Sequence, residues 1–180
     1  MNKIIEAINN TWKGFFKCRS HFPLISENDI GHKMIPMSPF YMRGGHKVEI
    51  RFDCAINKKM YLEIISTAHW INQNFIVRLC ATLESFQIIS NDKKIKIDFD
   101  LDGATHVDMV RRLRNRIAHS SGQFDSKNKK DCKTLEVMND ILGRNYKPGG
   151  RTNWPLAIDF VLTPLRDGCI RYVENKYKTA

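Results

Sequence analysis

Between positions 111 and 119 the chain reads Arg111-Arg112-Leu113-Arg114-Asn115-Arg116-Ile117-Ala118-His119, then breaks at Ser120-Ser121-Gly122. Arginines clustered beside one imidazole supply what phosphodiester chemistry needs: cations that bind a phosphate and offset the charge growing on it, and a group that moves a proton at neutral pH. Helical projection sorts the segment. With Val110 set at zero and about 100° per residue, Leu113 falls near 300° and Ile117 near 340°, whereas Arg112, Asn115 and His119 fall near 200°, 140° and 180°. The first set marks a core side and the second an outward one. Arg114, near 40°, flanks the apolar stripe, and an unbroken helix holds it about 140° from His119. Both can address one phosphate only if the helix ends before His119 or a second subunit completes the site. A solvated basic helix end with a C-terminal histidine has the same composition, because the helix dipole favours cations there.

The segment is carried on an expected helix over Ala104–His119, with Val107, Val110, Leu113 and Ile117 on one face. Earlier in the chain, apolar residues at 4, 5, 8, 12, 15 and 16 predict a first helix over 2–17. From Cys18 to about 47 the pattern collapses among Pro23, Pro36, Pro39 and Gly44-Gly45, giving a long loop. Tyr61, Ile65, Ala68, Ile71, Phe75, Leu79, Leu83 and Phe86 repeat at three to four residues, so a long core helix covers about 58–90. Val48, Ile50, Phe52 and Cys54 alternate as a strand would, but the lack of breakers favours helix. Ile95, Ile97, Phe99 and Leu101 alternate with charged residues and predict a short β excursion near 94–101. Further helices are expected at about 132–142, ended by Gly143, and from Pro155 to about Lys176, kinked or split at Pro164 and Gly168. The expected fold is mainly α, in a single domain spanning 1–180 with its long loop at about 18–47.

Charge is concentrated near the arginines. The chain holds 29 basic and 19 acidic residues, a net +10, and positions 110–151 alone hold eleven Lys or Arg against four Asp or Glu. A phosphate polymer is the usual partner of such a surface, since each neutralised phosphate releases counterions. Arg111, Arg112, Arg116, Lys127, Lys129 and Lys130 are its candidate contacts. A second basic loop adds Arg144, Lys147 and Arg151 around Tyr146. Five cysteines, none in a C-x-x-C pair, read as reduced thiols. No signal-peptide core and no run near the roughly 20 apolar residues of a membrane span is present. The expectation is a soluble, cytoplasmic protein.

Other constellations carry less. Asp98-Phe99-Asp100-Leu101-Asp102-Gly103 opens like a calcium loop, but Met109 stands where the bidentate Glu belongs. Cys18, His21, His32 and His46 match no common zinc spacing. His69 reads as a packed helical histidine, and His106 as a surface residue of the arginine helix.

Arg114-Asn115-Arg116-Ile117-Ala118-His119 resembles the R-x4–6-H motif of the HEPN superfamily, in which a polar residue, here Asn115, follows the arginine. The likeness is strict over the motif and loose over about 58–122. It implies an HEPN-like helical bundle, usually dimeric, and a metal-independent endoribonuclease acting in a toxin–antitoxin or other defence system. Catalysis would then fall to Arg114, Asn115 and His119, cleaving RNA by attack of the 2′-OH, with no cofactor and no metal. The implied partners are RNA, a second copy of the chain and an antitoxin protein, with no membrane. The alternative is a non-catalytic HEPN-like module that binds RNA or a protein partner through the same face. Some HEPN proteins carry a tyrosine two residues after the histidine, where this chain has Ser121.

Overall fold

The computed structural model describes residues 2–36, 49–90, 94–147, 150, 152–155 and 158–178. The fold is mainly α, with five α-helices and two small antiparallel two-stranded sheets among the described residues. In chain order these are α1 (Asn2–Ser20), β1 (Met34–Pro36), β2 (Glu49–Arg51), α2 (Lys58–Ser85), α3 (Ala104–Ser120), β3 (Gln123–Phe124), α4 (Lys129–Leu142), β4 (Trp154–Pro155) and α5 (Leu162–Lys178). Short 3-10 turns occupy Glu27–Asp29 and Asp159–Val161. The chain, expected as one domain, groups into two compact units, Met1–Thr11 with Gln73–Ala180 and Trp12–Asn72, whose boundaries fall inside α1 and α2.

The smaller unit is built on β1 and β2. Ile35 lies opposite Ile50 in the ladder, and Ile25, Ile35 and Ile56 are buried under Phe52, Met60, Tyr61 and Ile64. Helix extending back to 48 is therefore corrected to a strand at Glu49–Arg51: the alternating pattern prevailed because a strand partner existed at Met34–Pro36. Asn57 starts α2, its Oδ1 accepting the Met60 N–H at 2.9 Å. The expected loop at about 18–47 thus contains the end of α1, a 3-10 turn and β1, while residues 37–48 lie outside the described residues, His46 among them.

The larger unit holds the arginine helix. Phe75, Ile76, Leu79, Cys80 and Leu83 of α2 form core with Val107, Met109, Val110 and Leu113 of α3 and Leu165, Cys169, Tyr172 and Val173 of α5, all essentially inaccessible. Helix α2 stops at Ser85, where Gln87 turns left-handed (φ 57°) and the Ile88 N–H returns to the Leu83 carbonyl.

The strand expected near 94–101 is absent. Its backbone donors go to side chains instead of a ladder: Ile95 N–H to Ser90 Oγ at 2.9 Å, Asp98 N–H to Tyr172 Oη at 3.0 Å and Asp100 N–H to Asp98 Oδ1 at 3.1 Å. Of the alternating apolar set only Ile97 is buried, and Phe99 is 62% exposed. The short β structure lies elsewhere, in pairs of two and three residues. In α5, Pro164 sits in the first turn, where its missing N–H costs nothing, so the helix is not split there. Nor does Gly168 split it; it is the point where α3 and α5 meet. A Cβ at Gly168 would overlap the His106 ring, and one at Gly103 would overlap the Gly168 carbonyl oxygen. His106 is accordingly packed against α5, not a surface residue.

No helix among the described residues is long and apolar enough to cross a membrane.

Candidate nucleic-acid interface

Six residues of α3 are buried, Ala104, Val107, Asp108, Met109, Val110 and Leu113, and none after Leu113. The helix is enclosed early and open late, which leaves the arginines half-exposed and Asn115 and His119 exposed. It continues through Ser120 and closes on Ser121 (φ 49°) and Gly122 (φ 76°), whose N–H groups return to the Arg116 carbonyl. The Gln73 amide of α2 donates to the Ser121 carbonyl at 3.3 Å and would have to shift to admit a Cβ at Gly122. A helix break before His119 is thereby excluded, and Arg114 and His119 stay on opposite flanks of one helix.

Each arginine has its own fate. Asp108, 3% exposed, takes both Arg111 and Arg112, at 2.5 and 2.6 Å, across one helical turn. Two guanidinium groups share one carboxylate, so the triad keeps a positive charge. Arg116 is committed to the framework: it pairs with the buried Asp131 of α4, donates to Ser120 Oγ at 2.9 Å and lies 5.7 Å above the Phe124 ring. Asp131 also accepts the Asp125 N–H at 2.9 Å and sits in the first turn of α4, where the dipole favours a carboxylate. Arg114 has no carboxylate in salt-bridge reach among the described residues; its Nη1 donates to Asn115 Oδ1 at 3.2 Å. Burial pushes the Cys80 thiol of α2 up to about 12, with Glu84 adding to the rise and the Arg114 charge opposing it.

These side chains border a groove of about 940 Å³ between α3 and the start of α4, lined by Arg111, Arg112, Arg114, Asn115, Arg116 and His119 on one side. Asn128, Lys130, Asp131 and Thr134 line the other. Asn128 caps α4 by accepting the Lys130 N–H at 2.9 Å, which directs the exposed Lys127, Lys129 and Lys130 to the N-terminal end of that helix. The groove gathers Arg111, Arg112, Arg114, Asn115, Arg116, His119 and Lys130 of the expected set. Lys127, Lys129, Arg144 and Lys147 are exposed outside its lining, and Arg151 lies outside the described residues.

No protein-family model matches this chain, and no curated protein or solved structure is significantly similar to it. What the groove can do is read from its chemistry. It offers phosphate-binding guanidinium groups, an exposed imidazole and an amide, the donors an RNA backbone would meet. The Asp98 carboxylate accepts the Asp100 N–H and Asp102 pairs with Arg171 at 2.9 Å. Asp108 and Asp131 are the neighbours of the candidate site that sequence reading missed. Asp108 had a signal, since it precedes Arg111 and Arg112 by three and four residues; Asp131 had none, because its partner is fifteen positions away on another helix.

Proposed function

We propose that this chain is a metal-independent endoribonuclease of HEPN type, a cytoplasmic toxin or defence protein that works as a homodimer and is neutralised by an antitoxin. The observation that carries the reading is the α3–α4 groove, in which the Arg111–Asp108–Arg112 triad, Arg114 and Lys130 supply cations around an exposed His119.

In this reading Arg114 binds the scissile phosphate and offsets charge on its equatorial oxygens. Asn115, hydrogen-bonded to Arg114, holds the guanidinium fork in place. His119 takes the 2′-OH proton; the 2′-oxygen attacks phosphorus and the 5′-oxygen leaves with a proton, giving a 2′,3′-cyclic phosphate. Two proton transfers are needed, and the two His119 side chains of a dimer divide them. The same dimer resolves the separation of about 140° between Arg114 and His119 on one helix by bringing the arginine of one copy to the histidine of the other.

That separation also favours a second reading, a non-catalytic module that binds RNA or a protein partner through the groove. Incubating the purified chain with RNA in EDTA, beside His119→Ala and Arg114→Ala, decides between them. The ribonuclease reading expects cleavage by wild type and its loss, by a hundredfold or so, in both variants. Cleavage that survives both substitutions removes the site assignment. Binding without cleavage, steeply weakened by salt, selects the module.

A further inference from the structure

The basic loop after α4 is held more firmly than an exposed loop requires. The Asn139 side chain grips the Tyr146 backbone from both sides, donating to its carbonyl at 2.9 Å and accepting its N–H at 3.2 Å. The Tyr146 ring, 43% exposed, is thereby set against Trp154, with ring centroids 5.9 Å apart. Trp154 pairs with Phe124 across the β3–β4 ladder, ring centroids 6.0 Å apart. Phe124 in turn lies under the guanidinium of Arg116, which lines the groove. A continuous chain of tilted ring contacts therefore leads from the α3–α4 groove to an aromatic ring at the surface.

Nearby in sequence, the Arg144 guanidinium lies 4.7 Å from the centroid of Phe160, a ring 60% exposed on the 3-10 turn before α5. An aromatic that exposed contributes little to a core. Positions 144–151 hold Arg144, Lys147 and Arg151 and no carboxylate. Exposed π-faces among cations are what unpaired bases require, because every base has a face to stack and a phosphate to neutralise.

We propose that Tyr146, Phe160 and Arg144 form a stacking subsite for the unpaired bases of a single-stranded RNA whose phosphates lie in the α3–α4 groove. This rests on the reading of the groove as an RNA site and adds to it a substrate class: the RNA is single-stranded where it leaves the groove. Stacking is indifferent to base identity, so the subsite confers preference for unpaired over paired RNA and little sequence selectivity.

The test measures binding of the full chain to two oligonucleotides with equal phosphate counts, both 2′-O-methylated so that they cannot be cleaved, one carrying bases and one abasic. Tyr146→Ala and Phe160→Ala are each expected to weaken the base-bearing oligonucleotide about tenfold and to leave the abasic one unchanged. Tyr146→Phe, which keeps the ring, is expected to bind like wild type and serves as the folding control. Equal weakening of both oligonucleotides, or of neither, overturns the subsite. The two proposals fail separately. If wild type does not cleave RNA but shows the base-dependent loss, the ribonuclease falls and the subsite stands. If wild type cleaves and both alanine variants bind normally, the subsite falls and the ribonuclease stands. A wild type that binds no RNA removes both.

Discussion

The two halves of α3 are made for different work. From Ala104 to Leu113 the helix is enclosed on nearly every side, and even Asp108, on the face that projection assigns to solvent, is 3% exposed. From Arg114 to Ser120 no residue is buried, and Arg114, Asn115, Arg116 and His119 border a cationic groove. One rigid rod is thus located by its first half, whose last two arginines, Arg111 and Arg112, already border the groove, and presents charge along its second. Stability and activity should separate along it, and substitutions on either side of Leu113 test that separation.

The largest effect is expected at the start of the packed half. Gly103 has φ 88°, and a Cβ there would run into the Gly168 carbonyl oxygen and the Tyr172 backbone nitrogen, neither of which is a flexible side chain. Gly103→Ala combines backbone strain with separation of α3 from α5, and is expected to cost roughly 4 kcal/mol, read as a lowered denaturant midpoint. A midpoint close to wild type would mean that α3 is not located by its contact with α5.

Two arginines in the open half are expected to behave oppositely. Arg116→Ala leaves the buried carboxylate of Asp131 without its cation and is expected to destabilise by about 3 kcal/mol, although the residue lies in the functional segment. Arg114→Ala removes a side chain with no carboxylate partner among the described residues, so stability should change by about 0.5 kcal/mol or less while cleavage is lost. Chemical denaturation of both variants beside an RNA-cleavage assay checks the crossing. If Arg114→Ala unfolds the chain as readily as Arg116→Ala, the open half is framework too.

What the sequence made legible follows the same division. The helical spacing of Val107, Val110 and Leu113 located the packed half, because burial at a 3.6-residue period is a local signal, but it set the buried Asp108 on the solvent side and the half-buried Ile117 on the core side. The cation density of positions 110–151 marked the groove before its walls were known. Strand pairing was not legible. β3 and β4 are two residues each, too short for any period, and Gln123 and Phe124 find their partners far along the chain at Pro155 and Trp154. The alternation at Ile95–Leu101 misled because side chains supplied the hydrogen bonds that a ladder would have, Ser90 from five residues before Ile95 and Tyr172 from another helix. Which arginines keep their charge free was equally hidden, since Arg116 is claimed by Asp131 from another helix. For the same reason the fate of His106 could not be read from its neighbours: its environment is the backbone of Gly168.

His106 and His119 place one imidazole in each half, and acid should tell them apart with the smallest of these effects. His106 is half-buried, and burial holds its affinity for a proton below the ordinary imidazole value of 6.5; the charge of Arg171 acts in the same direction, while Asp102 and Asp167 oppose it. No described residue bonds its Nδ1. Well above pH 6.5 neither the folded nor the unfolded chain holds the extra proton, so His106 adds no pH dependence there. Below that value the unfolded chain takes the proton first. Stability therefore falls as pH drops, and this contribution levels off once the folded chain is protonated as well. His106→Gln, neutral at every pH, should flatten the curve of unfolding free energy on the acid side of 6.5. His119→Ala should abolish cleavage and leave that slope in place, because His106 is still there. An acid slope unchanged by His106→Gln would mean that the ring is solvated in the folded chain, and the packed half of α3 would then open at Gly168.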